Sequence, residues 1–313
     1  GSTIAGAEFG LYAKEDIKAG GKVIVKADEQ LCTAVTGEDG TAIFEQNLPF
    51  GSYYIKELQA PDGFVSSDEI IEVTVSYQGQ DVEVVRLKEI FKNQPTTVEF
   101  RKSDLTTGVE LDGATLTVLD KDGNEIDKWT SVKGEPHIIK RLHVGETYIL
   151  REEFAPYGYL KAEEVEFTIT DTAEIQKVEM KDDVPIGRII INKKGEFLSE
   201  VTWNEMVAGA MDSIWDYVTG SLKDVTFEIY AREDIKAADG ESDDYYKKDE
   251  LVATIKTDEL GIARTDDLPL GKYYVVEKET ADGFVLDGEP RDIDLTYRDQ
   301  DTPVVTYDSE WQN

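Results

Sequence analysis

The chain has 313 residues, and its 33 Lys and Arg stand against 66 Asp and Glu, which gives a net charge of −33. This acidity repels phosphate backbones and anionic lipids, so it excludes binding of nucleic acid or of a membrane through a basic face. With 40% hydrophobic residues and one cysteine, Cys32, the chain can build two or three cores but no internal disulfide.

Three copies of one sequence pattern follow one another along the chain. Residues 48–65 read LPFGSYYIKELQAPDGFV, and residues 268–285 read LPLGKYYVVEKETADGFV, 220 positions further on. A more diverged copy at 144–160 reads VGETYILREEFAPYGYL. The repeat predicts three tandem domains, at 1–94, 95–185 and 186–313, with short proline-containing boundaries that hold neighbouring domains in a fairly extended line.

Each copy has the local signal of β-structure. Segments such as 73–77 and 165–169 are short, alternate apolar with polar residues and are rich in β-branched and aromatic side chains. Glycine-containing turns such as 38–40 and 121–124 separate them at hairpin spacing. The sequence therefore predicts an all-β chain of three sandwiches.

One stretch of the third copy breaks this pattern. Between 203 and 218 the apolar residues recur at steps of three and four, which predicts an inserted amphipathic helix. We expect such a helix to pack over an open end of its own sandwich, with binding of a partner as the alternative.

The repeated motifs resemble those of a known domain family. The run GAEFGLYA at 6–13, the Leu-Pro-x-Gly-x-Tyr-Tyr entry, and Glu57 followed by APDGF at 60–64 are similar to the SpaA-type, or CnaB-type, domains of Gram-positive pilins and surface adhesins. The resemblance implies prealbumin-like sandwiches in which a lysine on the first strand forms an isopeptide bond with an asparagine or aspartate on the last. A glutamate before the Ala-Pro-x-Gly turn assists the reaction.

In the first copy, the resemblance assigns the glutamate to Glu57 and the acceptor to Asn93. Nothing precedes Thr3 except Gly1 and Ser2, so the matching lysine strand is expected upstream of this fragment. We therefore predict no isopeptide bond within that domain and a sandwich with one open edge that is prone to pairing.

In the second copy, the resemblance assigns Lys102 as the nucleophile, Asp182 as the acceptor and Glu152 as the assisting acid. Period-two alternation places Lys102 on the same, inward face as Val98 and Phe100. Asp183 is a rival acceptor, because a shift of one residue reverses the face of the strand.

In the third copy, the matching residues are Lys193, Asn313 and Glu277. Burial should lower the pKa of such a lysine and raise that of the glutamate, leaving a neutral amine beside a proton donor. The resulting reaction occurs once in each domain, joins two residues of the same chain and needs no cofactor.

The sequence offers little for other chemistry. His137 and His143 are its only histidines, so the outer domains cannot hold a Ser/His/Asp or Cys/His arrangement, and a histidine-rich metal site is excluded. The sequence therefore predicts no turnover enzyme, no cofactor and no metal site.

The function that this pattern predicts is structural. We expect the covalently braced stalk of a cell-wall-anchored Gram-positive adhesin or pilin-like protein, extracellular, with its signal and anchor outside this fragment and neighbouring domains of the same protein as partners. The alternative is a ligand-binding module of an adhesin, which contacts a host protein or glycan through the inserted segment or the acidic loop at 239–244.

Overall fold

The structure, a computed structural model, describes residues 3–205 and 211–312, and every regular element in those ranges is a β-strand. The predicted all-β class is therefore confirmed. In the same ranges no helix is long and apolar enough to cross a membrane.

The first domain contains one four-stranded antiparallel sheet and a small ribbon. The sheet has the order β4-β1-β5-β6, and β2 pairs only with β3. Among the described residues this domain has no second large sheet. The sequence analysis predicted a complete sandwich with one free edge, so the domain is more open than expected. Its strands are β1 (Glu8–Ala13), β2 (Ile17–Ala19), β3 (Lys22–Val25), β4 (Gln30–Val35), β5 (Gly51–Gln59) and β6 (Ile70–Val75).

The second domain is a two-layer sandwich. One sheet has the order β10-β7-β13 and the other β12-β11-β8-β9, with Phe100, Leu116, Leu150 and Met180 buried between them. The first and last strands, β7 and β13, are parallel neighbours. The strands are β7 (Thr97–Asp104), β8 (Thr115–Leu119), β9 (Glu125–Thr130), β10 (His137–Lys140), β11 (Thr147–Phe154), β12 (Val165–Thr168) and β13 (Gln176–Asp182).

The third domain repeats this sandwich with a longer first strand. That strand, β14, pairs with β15, β18, β19 and, in parallel, the last strand β22, while the facing sheet has the order β17-β16-β20-β21. Ile189, Ile191, Phe227 and Trp311 fill the core. The strands are β14 (Ile186–Glu205), β15 (Met211–Ser221), β16 (Thr226–Ala231), β17 (Leu251–Lys256), β18 (Ile262–Arg264), β19 (Leu268–Pro269), β20 (Gly271–Glu279), β21 (Arg291–Leu295) and β22 (Val304–Gln312).

The helix predicted over 203–218 is wrong. The outer half of β14 and all of β15 form an antiparallel hairpin, in which Val201 lies opposite Trp215 and Trp203 opposite Ser213; residues 206–210 lie outside the described ranges. In each arm successive side chains point to opposite faces, and the window of 203–218 combines both arms with the turn between them. The indole of Trp203 is 62% exposed, so this part of the hairpin does not cover the sandwich.

The glycine turns after β5 and β11 join neighbouring domains. Gly63 has a φ of +78°, and a Cβ there would lie 2.6 Å from the carbonyl oxygen of Arg141 in the second domain. The amide of Thr96 donates to the carbonyl of Gly63 at 3.0 Å. At the next junction, the Tyr297 hydroxyl donates to the carbonyl of Tyr159 at 3.0 Å. The repeated turn therefore serves as a docking element between domains.

Candidate functional site

The second domain brings together the three residues assigned to it from the sequence. Lys102 lies on β7 and points inward, as its alternation with the buried Val98 and Phe100 requires. In the parallel ladder Lys102 is paired with Met180, so Asp182 is on the same face two residues further along β13. Glu152 enters from β11 in the opposite sheet.

The side chains of these three residues are completely buried and in contact. The Nζ of Lys102 lies 3.1 Å from Oε1 of Glu152 and hydrogen-bonds Oδ1 of Asp182. The other carboxylate oxygen of Glu152 accepts a hydrogen bond of 2.7 Å from the amide of Ala162. The backbone thus holds one side of Glu152, while the other side faces the amine.

Burial also changes the proton occupancy of this cluster. Desolvation raises the pKa of Asp182 to about 7, against the opposing effect of the nearby Lys102 ammonium, and the charge of Glu152 raises it further. Fully ionised, one base and two acids would leave a buried net charge of −1. The raised pKa means that a fraction of the Asp182 side chains is protonated near neutral pH. A protonated carboxyl is an electrophile, whereas a carboxylate is not.

The rival acceptor lies on the other face of the strand. Asp183 is exposed, and its side chain accepts a hydrogen bond from the amide of Val184 at 2.8 Å. Asp182, by contrast, is completely buried against Lys102. Only Asp182 of the two is in position to react with this lysine.

The third domain has the same arrangement of lysine and glutamate. Lys193 on β14 is completely buried, and its Nζ lies 2.7 Å from Oε2 of Glu277 on β20 and 6.0 Å from the ring centroid of Phe227. Lys193 is paired with Trp311 in the parallel ladder. Asn313, the predicted acceptor, lies outside the described residues.

The first domain contains the glutamate and the acceptor without a lysine between them. The Nδ2 of Asn93 donates to Oε1 of Glu57 at 2.7 Å, and the amide of Ser67 donates to Oε2 at 2.9 Å. Both side chains are half-buried. Within residues 3–205 and 211–312, no lysine forms an ion pair with Glu57.

The sequence analysis missed the backbone groups that orient the glutamates. Ser67 follows Glu57 by ten residues, and Ala162 follows Glu152 by the same interval; each donates its amide to the outer carboxylate oxygen. A comparison of the chain after the glycine turn in the two copies could have revealed this constant spacing. Across the described ranges, no group of three or more His, Cys, Asp or Glu side chains is placed to hold a metal ion.

Comparison with known proteins identifies the repeated unit. The family model described as SpaA, a prealbumin-like fold domain, matches residues 1–89, 96–184 and 215–311. A comparison with curated proteins finds no match.

Several solved structures are similar to this chain. The Bacillus anthracis TIE protein is 23% identical with a TM-score of 0.55, and the match covers 100% of this chain and 49% of that one. The chain thus spans about half the length of that protein, and the likeness is one of fold. The major pilin subunit BcpA of Bacillus cereus is 16% identical, with 98% and 94% coverage and a TM-score of 0.41. The shaft pilin SpaA of Lactobacillus rhamnosus GG is 16% identical, with 58% and 85% coverage and a TM-score of 0.27.

Proposed function

Because the chain belongs to the family of SpaA prealbumin-like fold domains, we propose that it is a stalk segment of a Gram-positive surface adhesin or pilin-like protein, braced by self-formed isopeptide bonds. One bond joins Lys102 to Asp182 with the assistance of Glu152, and the other joins Lys193 to Asn313 with the assistance of Glu277. We propose an extracellular, cell-wall-attached location and the domain limits 1–94, 95–185 and 186–313. In this proposal the chain has a mechanical role, and the only reaction that it promotes is the formation of its own isopeptide bonds.

The observation that carries this proposal is the buried cluster in the second domain. Removing three ionisable side chains from water costs several kcal/mol per ion, and an apolar replacement of similar volume is often as stable or more so. A core selected for stability alone would therefore favour apolar residues at these positions. Lys102, Glu152 and Asp182 are instead in mutual contact, with no exposed side-chain surface.

The reaction uses the proton already held in this cluster. Glu152 accepts a proton from Lys102 across their 3.1 Å contact, which frees the nitrogen lone pair. The amine attacks Cγ of the protonated Asp182, Glu152 returns the proton to the departing hydroxyl, and the new amide nitrogen gives its remaining extra proton to Glu152, which ends protonated. A C–N bond forms, a C–O bond breaks, and one water leaves. With the amide of Asn313 as acceptor, the same steps release ammonia.

The strand order supports a mechanical role for the product. β7 and β13 are parallel neighbours, so tension that enters at the start of β7 and leaves at the end of β13 shears one strand against the other. Lys102 and Asp182 lie near the ends of these strands at which the chain leaves towards the third domain. A covalent bond there carries the load directly from β7 to β14 and leaves the 80-residue segment between the two residues unloaded.

Intact mass tests this proposal. The mature chain should be lighter than its sequence by one water and one ammonia. Glu152→Gln should abolish only the mass loss of one water. Glu277→Gln should abolish only the mass loss of one ammonia. A mature chain with the full sequence mass would refute the proposal, as would mass losses that persist in both variants.

The β14–β15 hairpin supports a second candidate function, a ligand-binding module that contacts a host protein or glycan. Five apolar side chains lie on one face of the ribbon, namely Leu198, Val201, Trp203, Trp215 and Tyr217. Trp203, Trp215 and Tyr217 are more than half exposed. A contiguous exposed aromatic surface of this kind is typical of binding sites.

Arrays of glycans and purified extracellular host proteins test this candidate. Binding should be lost in the double variant Trp203→Ala and Trp215→Ala and retained in Thr202→Ala, which alters the opposite face. Equal binding by both variants, or no binding by the unaltered chain, would eliminate the hairpin as a ligand site.

A further inference from the structure

The backbone amide that orients Glu152 lies in a segment that is fixed by the third domain. Ala162, whose amide donates to the outer carboxylate oxygen of Glu152, belongs to the connection between β11 and β12 and is not part of a strand. The residue before it, Lys161, donates its amide to the backbone carbonyl of Gln300 in the third domain at 2.9 Å. The path of the chain up to the orienting amide is therefore set by a contact between domains.

The side chain of Gln300 contacts the strand that carries Glu152. The register of β11 against β8 shifts between Glu152 and Phe154, so Glu153 forms a bulge directly after the assisting glutamate. A bulge leaves backbone groups outside the ladder and changes the direction of neighbouring side chains. The Oε1 of Gln300 accepts a hydrogen bond from the amide of Ala155 at 2.8 Å, and its Nε2 donates to the carbonyl of Glu153 at 3.5 Å. One residue of the third domain thus binds both backbone segments that position Glu152.

The junction between the first and second domains has the same contact. The amide of Ser67 orients Glu57, and the amide of the preceding Ser66 donates to Oδ1 of Asp171 in the second domain at 2.9 Å. These two serines lie 95 positions before the corresponding pair in the second domain, which is the offset of the repeat. Asp171 lies between β12 and β13, and Gln300 lies between the equivalent strands β21 and β22. At both junctions the following domain therefore binds the residue before the orienting amide, through a carboxylate in one case and a backbone carbonyl in the other.

We propose that Gln300 is a positioning residue for the isopeptide reaction of the preceding domain, so that docking of the third domain completes the reaction site of the second. The inference rests on the isopeptide chemistry of the proposed function. The bond between Lys102 and Asp182 is here called the second-domain bond, and the bond between Lys193 and Asn313 the third-domain bond. Gln300 acts on the former from outside the domain in which that bond forms.

The chemistry of the site makes the reaction rate sensitive to this contact. Glu152 has to accept the proton of Lys102 and return it, so its carboxylate must stay within hydrogen-bond reach of Nζ, at the observed 3.1 Å. A small displacement of a reacting group lowers a rate much more than it lowers stability.

The third-domain bond lies far from Gln300 and provides an internal reference. Lys193 is paired with Trp311, seven residues along β22 from its first residue, Val304, which is about 23 Å at the rise of a strand. Gln300 precedes Val304. A change at Gln300 that leaves the third domain folded should therefore leave the rate of the third-domain bond unchanged.

Refolding of the full chain from unreacted, denatured material tests the inference. Both bonds are followed in time as cross-linked peptides after proteolysis. Gln300→Met has nearly the same volume but cannot make the two side-chain hydrogen bonds, and it should slow the second-domain bond by about tenfold, with no change in the third-domain bond. Gln300→Glu keeps an oxygen that accepts the amide of Ala155, and it should restore most of the rate.

The matched control lies at the same junction. Glu241 of the third domain forms an ion pair with Lys133 of the second, away from the two segments that position Glu152. Glu241→Gln removes this ion pair and should leave the rates of both bonds unchanged.

The remaining outcomes would overturn the inference. An unchanged rate of the second-domain bond in Gln300→Met would show that the contact does not position Glu152. Equal slowing of both bonds, or equal slowing in Glu241→Gln, would reduce the contact to a general support of folding or of the junction, and the absence of recovery in Gln300→Glu would rule out the hydrogen bond to Ala155 as the cause. An unaltered chain that never forms the second-domain bond would instead refute the proposed function, and with it this inference.

Discussion

Preventing the bond at Lys102 should destabilise the second domain by an amount set by the length of chain that the bond closes. The two residues are 80 positions apart. The chain-entropy relation used for disulfides then gives roughly 4.5 kcal/mol at 25 °C. A difference of this size lowers protection from hydrogen exchange on the order of a thousandfold wherever exchange requires opening of the whole domain.

Two substitutions at one position separate the bond from the side chain. Asp182→Ala has no carbonyl to attack and cannot form the bond. Asp182→Asn should react with loss of ammonia in place of water and give the same amide, so its mature form should match the mature parent in mass and stability. The variant that matures is therefore the control for the one that does not.

Hydrogen exchange measured by mass spectrometry is the appropriate assay, because three domains in one chain need not unfold in a single step. The slowest amides of β7, β8 and β11 should lose most of their protection in Asp182→Ala and retain it in Asp182→Asn. Equal protection in the two variants, with Asp182→Asn shown to be mature by mass, would refute the assignment of this stability to the bond.

Three further outcomes are expected. Because the pKa of Asp182 is raised to about 7, from about 3.9 in an unfolded chain, the folded domain holds an extra proton between these values. Bond formation after refolding, followed by mass, should therefore slow as the pH rises through about 7, relative to the third domain, whose proposed acceptor Asn313 is an amide. Gly63→Ala should lower the melting temperature of the domain junction more than Gly283→Ala, since a Cβ at Gly63 meets a carbonyl oxygen at 2.6 Å, whereas one at Gly283 meets nothing within 4 Å; equal effects would disprove the docking role. Trp203→Ser and Trp215→Ser should change stability by less than about 0.5 kcal/mol by thermal unfolding, because neither side chain is in the core; a larger loss would show that the hairpin supports the sandwich.

The residues of the second site could be predicted because two independent regularities point to them. Alternation with period two fixes which side of β7 faces the core, so the inward position of Lys102 follows from Val98 and Phe100. The repeat offset of 95 residues then locates Glu152 from Glu57, and the resemblance assigns the acceptor to the end of the last strand, at Asp182. Neither regularity depends on knowledge of the loops, which are the least predictable part of a β-sandwich.

The hairpin could not be predicted in the same way, and for the first domain the sequence predicted one open edge but not that its described residues lack a second large sheet. Periodicity is a local signal, and a window that contains two strands and their turn mixes the phases of both arms. Whether a segment forms a strand depends on a partner strand elsewhere in the sequence. β22 pairs with β14, whereas 84–92, which has a similar sequence, has no such partner in the described structure and forms no strand. Backbone hydrogen bonds across a sheet require a partner that is absent from any local window.

The register of the parallel ladder links the three sites. Lys102 is paired with Met180, and its proposed acceptor Asp182 lies two positions further along β13. Lys193 is paired with Trp311, which precedes the proposed acceptor Asn313 by the same two positions. This offset follows from the side chains, since a lysine stem is long enough to lean along the neighbouring strand by about 6.6 Å, the rise of two residues, whereas an aspartate or asparagine is not. In the first domain the residue two positions before Asn93 is Phe91, which matches Trp311 at the offset of 220.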